Sequence, residues 1–158
     1  MGNGKILSIY EPTNDTLYFR TAFEFDYETE VKEYHHVYKV KQTDKQILDY
    51  ACLKGGATYE GRKRAVIHNT GIQSKVPIPV DPLRNLYIFP THSPESDANI
   101  WIVYHNVDRY IKHPTDKTKS IIIFKNREQL VLDVSYSSIK NQVHNTAYCV
   151  SRFGRDGH

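Results

Sequence analysis

The 158-residue sequence predicts an α+β fold: a mainly antiparallel β-sheet or partly open barrel, with a short inserted helix over about 44–54 and a C-terminal helix over about 137–153. Three observations lead there. Apolar residues alternate with period two through much of the first forty residues. After Asp44 the period becomes helical. Short apolar runs broken by turn residues then lead to a second helical stretch at the end.

From Leu17 to Phe25, Leu17, Phe19, Thr21, Phe23 and Phe25 share one face of a strand, with Tyr18, Arg20, Ala22 and Glu24 on the other. Val31 to Lys41 continues the pattern with Tyr34, His36, Tyr38 and Val40 on a common side, and Asp26-Tyr27-Glu28 supplies the turn between. Asp44 caps a helix whose face is Ile47, Leu48, Ala51 and Cys52, and Gly55-Gly56 ends it. Residues 66–111 read as short strands. Within them, Lys75 to Pro82 carries three prolines that cannot donate to a ladder, so it is an extended edge segment turning at Asp81-Pro82. Leu86–Phe89 and Ile100–Tyr104 are apolar enough for buried strands, with a loop over 90–99. Ile121–Phe124 and Leu130–Val134 form a hairpin about Asn126-Arg127. Ser137 or Ser138 caps the last helix, along which Ile139, Val143, Ala147 and Val150 recur before Gly154 stops it.

This length makes one domain, residues 1–158, with a single core. The hydrophobic fraction of 39% is that of a folded protein. Net charge is only +3, but it is unevenly spread. Residues 1–50 hold six Lys and Arg against nine Asp and Glu, whereas residues 51–158 hold fifteen against nine. A basic face with an acidic counterweight follows. Cys52 and Cys149 lie far apart within helical patterns and read as free, buried thiols. No signal peptide is visible and no apolar run approaches the roughly 20 residues of a membrane span, so a reduced, cytoplasmic protein without membrane attachment is expected.

The most informative stretch is Tyr59-Glu60-Gly61-Arg62-Lys63-Arg64, just after Gly55-Gly56. It reads as a glycine-punctuated basic loop, suited to a polyanion because its cations neutralise phosphates and its glycines allow close backbone approach. Lys54 adds a cation at the helix junction, and Lys75 offers a backbone contact ahead of the prolines. Lys117, Lys119, Lys125 and Arg127 flank the hairpin, where charge commonly protects sheet edges; Lys140 and Arg152 on the last helix serve DNA, a partner subunit or solvent. His35 and His36, adjacent in a strand, point to opposite faces, and the other histidines follow no zinc spacing. No catalytic, metal or cofactor motif is identifiable, which argues against an enzyme.

Several blocks together resemble the ComK family, competence transcription factors of Gram-positive bacteria. They are Tyr59-Glu60-Gly61-Arg62-Lys63, then Pro77-Ile78-Pro79-Val80-Asp81-Pro82, then Leu86-Tyr87-Ile88-Phe89-Pro90-Thr91. Trp101 and the residues to Val107 follow, then Val134-Ser135-Tyr136-Ser137-Ser138, Asn141-Gln142-Val143 and Thr146-Ala147. The order holds from about residue 47 to 153. Two features differ: many relatives have arginine where this chain has Asn145, and many extend well beyond His158. The resemblance implies a transcriptional activator of DNA-uptake and recombination genes. It would bind double-stranded A/T-rich promoter boxes largely through the minor groove and act as a homo-oligomer at the nucleoid. Its further partners would be a proteolytic adaptor and RNA polymerase.

Minor-groove recognition suits the basic run. A-tracts narrow that groove and deepen its negative potential, and arginine donates to the acceptors that A·T pairs present there. The expected DNA-contacting residues are therefore Arg62 and Arg64 in the groove, Gly61 for close entry and Tyr59 against sugar or base. Lys54, Lys63 and Lys75 would reach phosphates. The competing expectation is a β-rich module that binds a protein or peptide at a sheet edge without specific DNA binding.

Overall fold

The computed structural model describes residues 5–154. Among these, ten strands form two sheets and three α-helices pack against them. The strands are β1 (Ile6–Leu7), β2 (Thr16–Thr21), β3 (Thr29–Glu33), β4 (Val37–Val40), β5 (Ile78–Asp81), β6 (Leu86–Pro90), β7 (Ile100–Val103), β8 (Val107–Lys112), β9 (Ser120–Phe124) and β10 (Gln129–Leu132). The helices are α1 (Asp44–Lys54), α2 (Tyr59–Thr70) and α3 (Tyr136–Phe153).

The larger sheet runs β1-β4-β3-β2-β7-β6-β5, antiparallel except for β1 on β4, and the smaller runs β10-β9-β8. The α+β expectation stands; the sheets are open, not a closed barrel. Alternation along the central strands divides the apolar residues between two cores. On β7, Trp101 and Val103 face the helices, where Ile47, Leu48, Cys52, Tyr59 and Val66 meet them. Ile100 and Ile102 face the smaller sheet and pack with Ile122, Phe124, Leu130 and Leu132. A bulge between Thr16 and Tyr18 lets consecutive Leu17 and Tyr18 both serve this second core. Helix α3 spans both, placing Ile139 in one and Cys149 in the other.

The proline-rich segment forms the edge strand β5, as its missing donors require, and turns into a 3₁₀ turn over Pro82–Arg84. The β9–β10 hairpin turns at Arg127, whose φ is 74°. Both cysteines are free and buried, and burial pushes the Cys52 thiol up to about 12 and Cys149 to about 11.

Four expectations are corrected. The strand predicted to Phe25 ends at Thr21, because Ala22 N–H donates to the Glu28 carbonyl and closes a turn there. Phe23 and Phe25 are consequently exposed, not part of a buried face. His35 and His36 lie in the tight turn between β3 and β4, closed by Glu33 N–H to the His36 carbonyl at 2.8 Å. Helix α1 is capped by Thr43, which forms a reciprocal pair with Gln46; Asp44 is its first residue. Helix α3 is capped by Ser135, and its buried stripe is Ile139, Gln142, Thr146 and Cys149, leaving Ala147 exposed. The polar members have a physical cause: Gln142 Nε2 donates to the carbonyls of Lys75, ahead of β5, and Pro90, at the end of β6, and Thr146 Oγ1 donates to the Gln142 carbonyl.

Trp101 is fully buried, and its indole Nε1 donates to Asp44 Oδ2 at 3.0 Å. Trp101→Phe keeps most of the apolar area but removes that bond to a carboxylate, so urea unfolding should show a loss of about 1.5–3 kcal/mol.

His105 adds a pH dependence. Its ring packs edge-on against Tyr87 and Tyr104, its Nε2 is buried without a partner, and burial, with repulsion from Lys125, holds its pKa below the ordinary value. The unfolded chain protonates this imidazole near pH 6.5 and the folded chain only at lower pH. Stability contributed by neutral His105 is thus present above about pH 6.5 and declines as pH falls below it. Urea midpoints at pH 5.5 and 7.5 should differ less in His105→Phe than in the parent chain.

Candidate nucleic-acid interface

The segment expected as a basic loop is the first half of helix α2. Thr58 caps it, its hydroxyl accepting from Gly61 N–H at 2.9 Å, and burial of Tyr59 and Val66 anchors it. Gly61 costs such a helix about 1 kcal/mol relative to alanine. Its lack of a side chain is used locally, because a Cβ there would sit 3.1 Å from the Thr58 hydroxyl. The true turn is Gly55-Gly56 before it. Gly56 has φ of 104°, and a Cβ on Gly55 would lie 2.7 Å from the Val80 carbonyl. A helix with side chains is about 10–12 Å wide and cannot enter a minor groove about 6 Å wide. Only side chains projecting from α2 can do so.

The helix sorts its cations. Arg62 turns inward: its Nη2 donates to the Gly55 carbonyl at 2.7 Å, and its Nε is buried without a partner. The same guanidinium opposes the burial that raises the Cys52 and Tyr87 pKa values, which places its charge beside the core. Arg62 is therefore held at the α1–α2 turn. Tyr59 is likewise buried, its ring edge-on to Trp101 at 6.2 Å and its hydroxyl pushed up to about 12 by burial. It does not offer the exposed face expected of it. Gly61 is a helical residue, and Lys75 Nζ donates to Ser138 Oγ at 3.0 Å.

Three of the expected cations make no such side-chain bond among the described residues. Arg64 is exposed and shares its ridge with His68 one turn on. Lys54 is exposed at the end of α1, and half-buried Lys63 lines a hollow with Lys75, Ser93 and Glu95. Hydrogen bonding to Lys45, helped by the charges of Lys45 and Lys63, holds the Glu95 carboxyl below its usual range. Arg152 of α3 reaches this ridge, donating to Asn69 Oδ1 at 3.2 Å.

A second cationic group was not legible as a unit. Lys112, Lys117, Lys119 and Lys140 surround one cavity beside the start of α3. In the sequence Lys117 and Lys119 read as hairpin-end charges; only the packing of α3 on β8 and β9 gathers all four lysines. Among the described residues, no group of three or more His, Cys, Asp or Glu side chains could hold a metal ion, and no helix is long and apolar enough to cross a membrane.

Fold and charge thus define a small α+β domain whose distinctive surface is cationic. The family model described as ComK protein matches residues 7–156, and the chain belongs to that family. It is 34% identical over 117 residues to the competence transcription factor of Bacillus subtilis (strain 168), an alignment covering 74% of this chain and 60% of that protein. The matched segment is therefore less than two thirds of that relative's length. No solved structure matches the chain.

The inward setting of Arg62 makes a prediction. Arg62→Leu removes the bond to the Gly55 carbonyl, leaves that acceptor without this donor, and should lower unfolding free energy by about 1–3 kcal/mol in urea titration. An unchanged midpoint would show the guanidinium to be dispensable to the fold.

Proposed function

We propose that this chain is a DNA-binding transcriptional activator of competence genes, recognising A/T-rich promoter boxes through the minor groove as a homo-oligomer. Family membership and the relative named competence transcription factor support the class. The observation that carries the interface is the sorting of cations along α2, which commits Arg62 to the fold and leaves Arg64 exposed on a rigid helix. In this reading α2 lies across the groove and Arg64 inserts its guanidinium. That group, donor-only, meets the acceptors of A·T pairs where the narrowed groove is most negative. Lys54 and Lys63 reach flanking phosphates, while Tyr59, Gly61, Arg62 and Lys75 hold the helix and its surroundings in place. Contact with RNA polymerase and turnover through a proteolytic adaptor belong to the same reading, as does a place at the nucleoid.

Arg64→Ala should weaken binding to A/T-rich duplex by roughly 1–3 kcal/mol and narrow the gap from G·C-rich duplex, measured by gel shift at fixed salt. Equal binding of both duplexes by the parent chain would instead favour a protein- or peptide-binding module.

A further inference from the structure

The cavity beside the start of α3, about 690 Å³, is lined by Lys112, His113, Lys117, Lys119, Tyr136 and Lys140 together with Ser135, Ser137 and Asn141. No carboxylate among the described residues lines it, and none of its four lysines is in an ion pair. Four ammonium groups facing one hollow repel each other, and a cleft of a single sign focuses field on any anion that enters.

The walls are built, not a loose fringe. His113 Nδ1 accepts from the backbone N–H of Thr115 and Asp116, at 3.2 and 3.1 Å. The neutral ring must then carry its proton on Nε2, which adds a donor. Asp116, on the turn beside the cavity but not lining it, accepts from the Thr118 N–H at 2.9 Å and its hydroxyl at 2.6 Å. Those bonds hold its pKa below the usual range. They also brace the turn that carries Lys117 and Lys119. Lys112 Nζ sits 5.5 Å over the Tyr136 ring, which orients it at the cavity wall.

The same small sheet carries cations at its other end, where Arg109, Lys125 and Arg127 flank a further hollow that also holds Asp108. Lys119 and Lys125 bracket β9, and six residues of strand rise separate them by about 20 Å. That span suits an extended polyanion better than a small one: with one phosphate per 3.4 Å of strand, it matches about six nucleotides.

We propose that this lysine cradle binds backbone phosphates of duplex DNA, a second contact that is indifferent to base sequence and separate from α2. The inference rests on the DNA-binding reading above but assigns a different surface and a different task. Phosphate contacts set register and affinity without carrying base information.

The test titrates the parent chain and the double variant Lys117→Gln/Lys140→Gln with A/T-rich and G·C-rich duplexes over a range of salt. Both side chains are exposed, and thermal unfolding by circular dichroism should be unaltered. The expected result is weaker binding to both duplexes by the same factor, with the slope of log K against log salt smaller in magnitude by about 2. A parent-like slope and affinity overturns the cradle, as does a loss confined to the A/T-rich duplex. If the parent chain shows no A/T preference but the double variant still loses slope, the groove reading falls and the cradle stands. If the parent chain binds neither duplex, both fall.

Discussion

Trp101 ties the two elements on which the surface of this protein depends. Its indole is enclosed by the core, donates to the first residue of α1 and meets the first residue of α2 edge-on. One side chain on a central strand thus meets both helices at their first residues. A carboxylate at the start of a helix is favoured by the helix dipole, so Asp44 serves α1 and the indole together. Tyr59 in turn is held by Asp49 of α1, whose carboxylate accepts its backbone N–H at 2.9 Å. The helices, their turn and the sheet are therefore one rigid unit.

Rigidity decides which cations are available. A flexible loop would present Arg62, Lys63 and Arg64 alike, at the entropic cost of ordering them on binding. A helix instead separates neighbours by 100° and gives each a fixed surrounding. Arg62 falls on the side of the turn, where the Gly55 carbonyl needs a donor, and Arg64 falls on the open side. The inward guanidinium serves the outward one by holding the helix from which it projects. Tertiary packing also brings cations from distant positions together, as α3 does when it sets Lys140 beside the turn carrying Lys117 and Lys119.

Much of the fold was legible because local chemistry decides it. Prolines at 77, 79 and 82 exclude a central strand wherever the segment sits, and β5 is an edge. Ile100 to Val103 is apolar at every position and is buried on both faces. The stretch from Tyr59 to Thr70 was misread for an equally physical reason. Gly61 and a run of charges suggest a loop, and the residues that anchor it as a helix, Tyr59 and Val66, do so through burial against α1, β5 and the sheet. Likewise Gln142 looks like part of an outer face until its side chain is seen to donate to the carbonyls of Lys75 and Pro90.

By itself the sequence determined the α+β class, the edge strand, the terminal helix and the family, since these follow from residue order, periodicity and turn chemistry within short spans. Only the tertiary structure decided that the basic run is helical, that Arg62 and Tyr59 face inward and that four lysines share one hollow. Those outcomes depend on which surfaces meet. Burial and like-charge proximity are properties of contacts between residues far apart in the chain, and no local pattern encodes them.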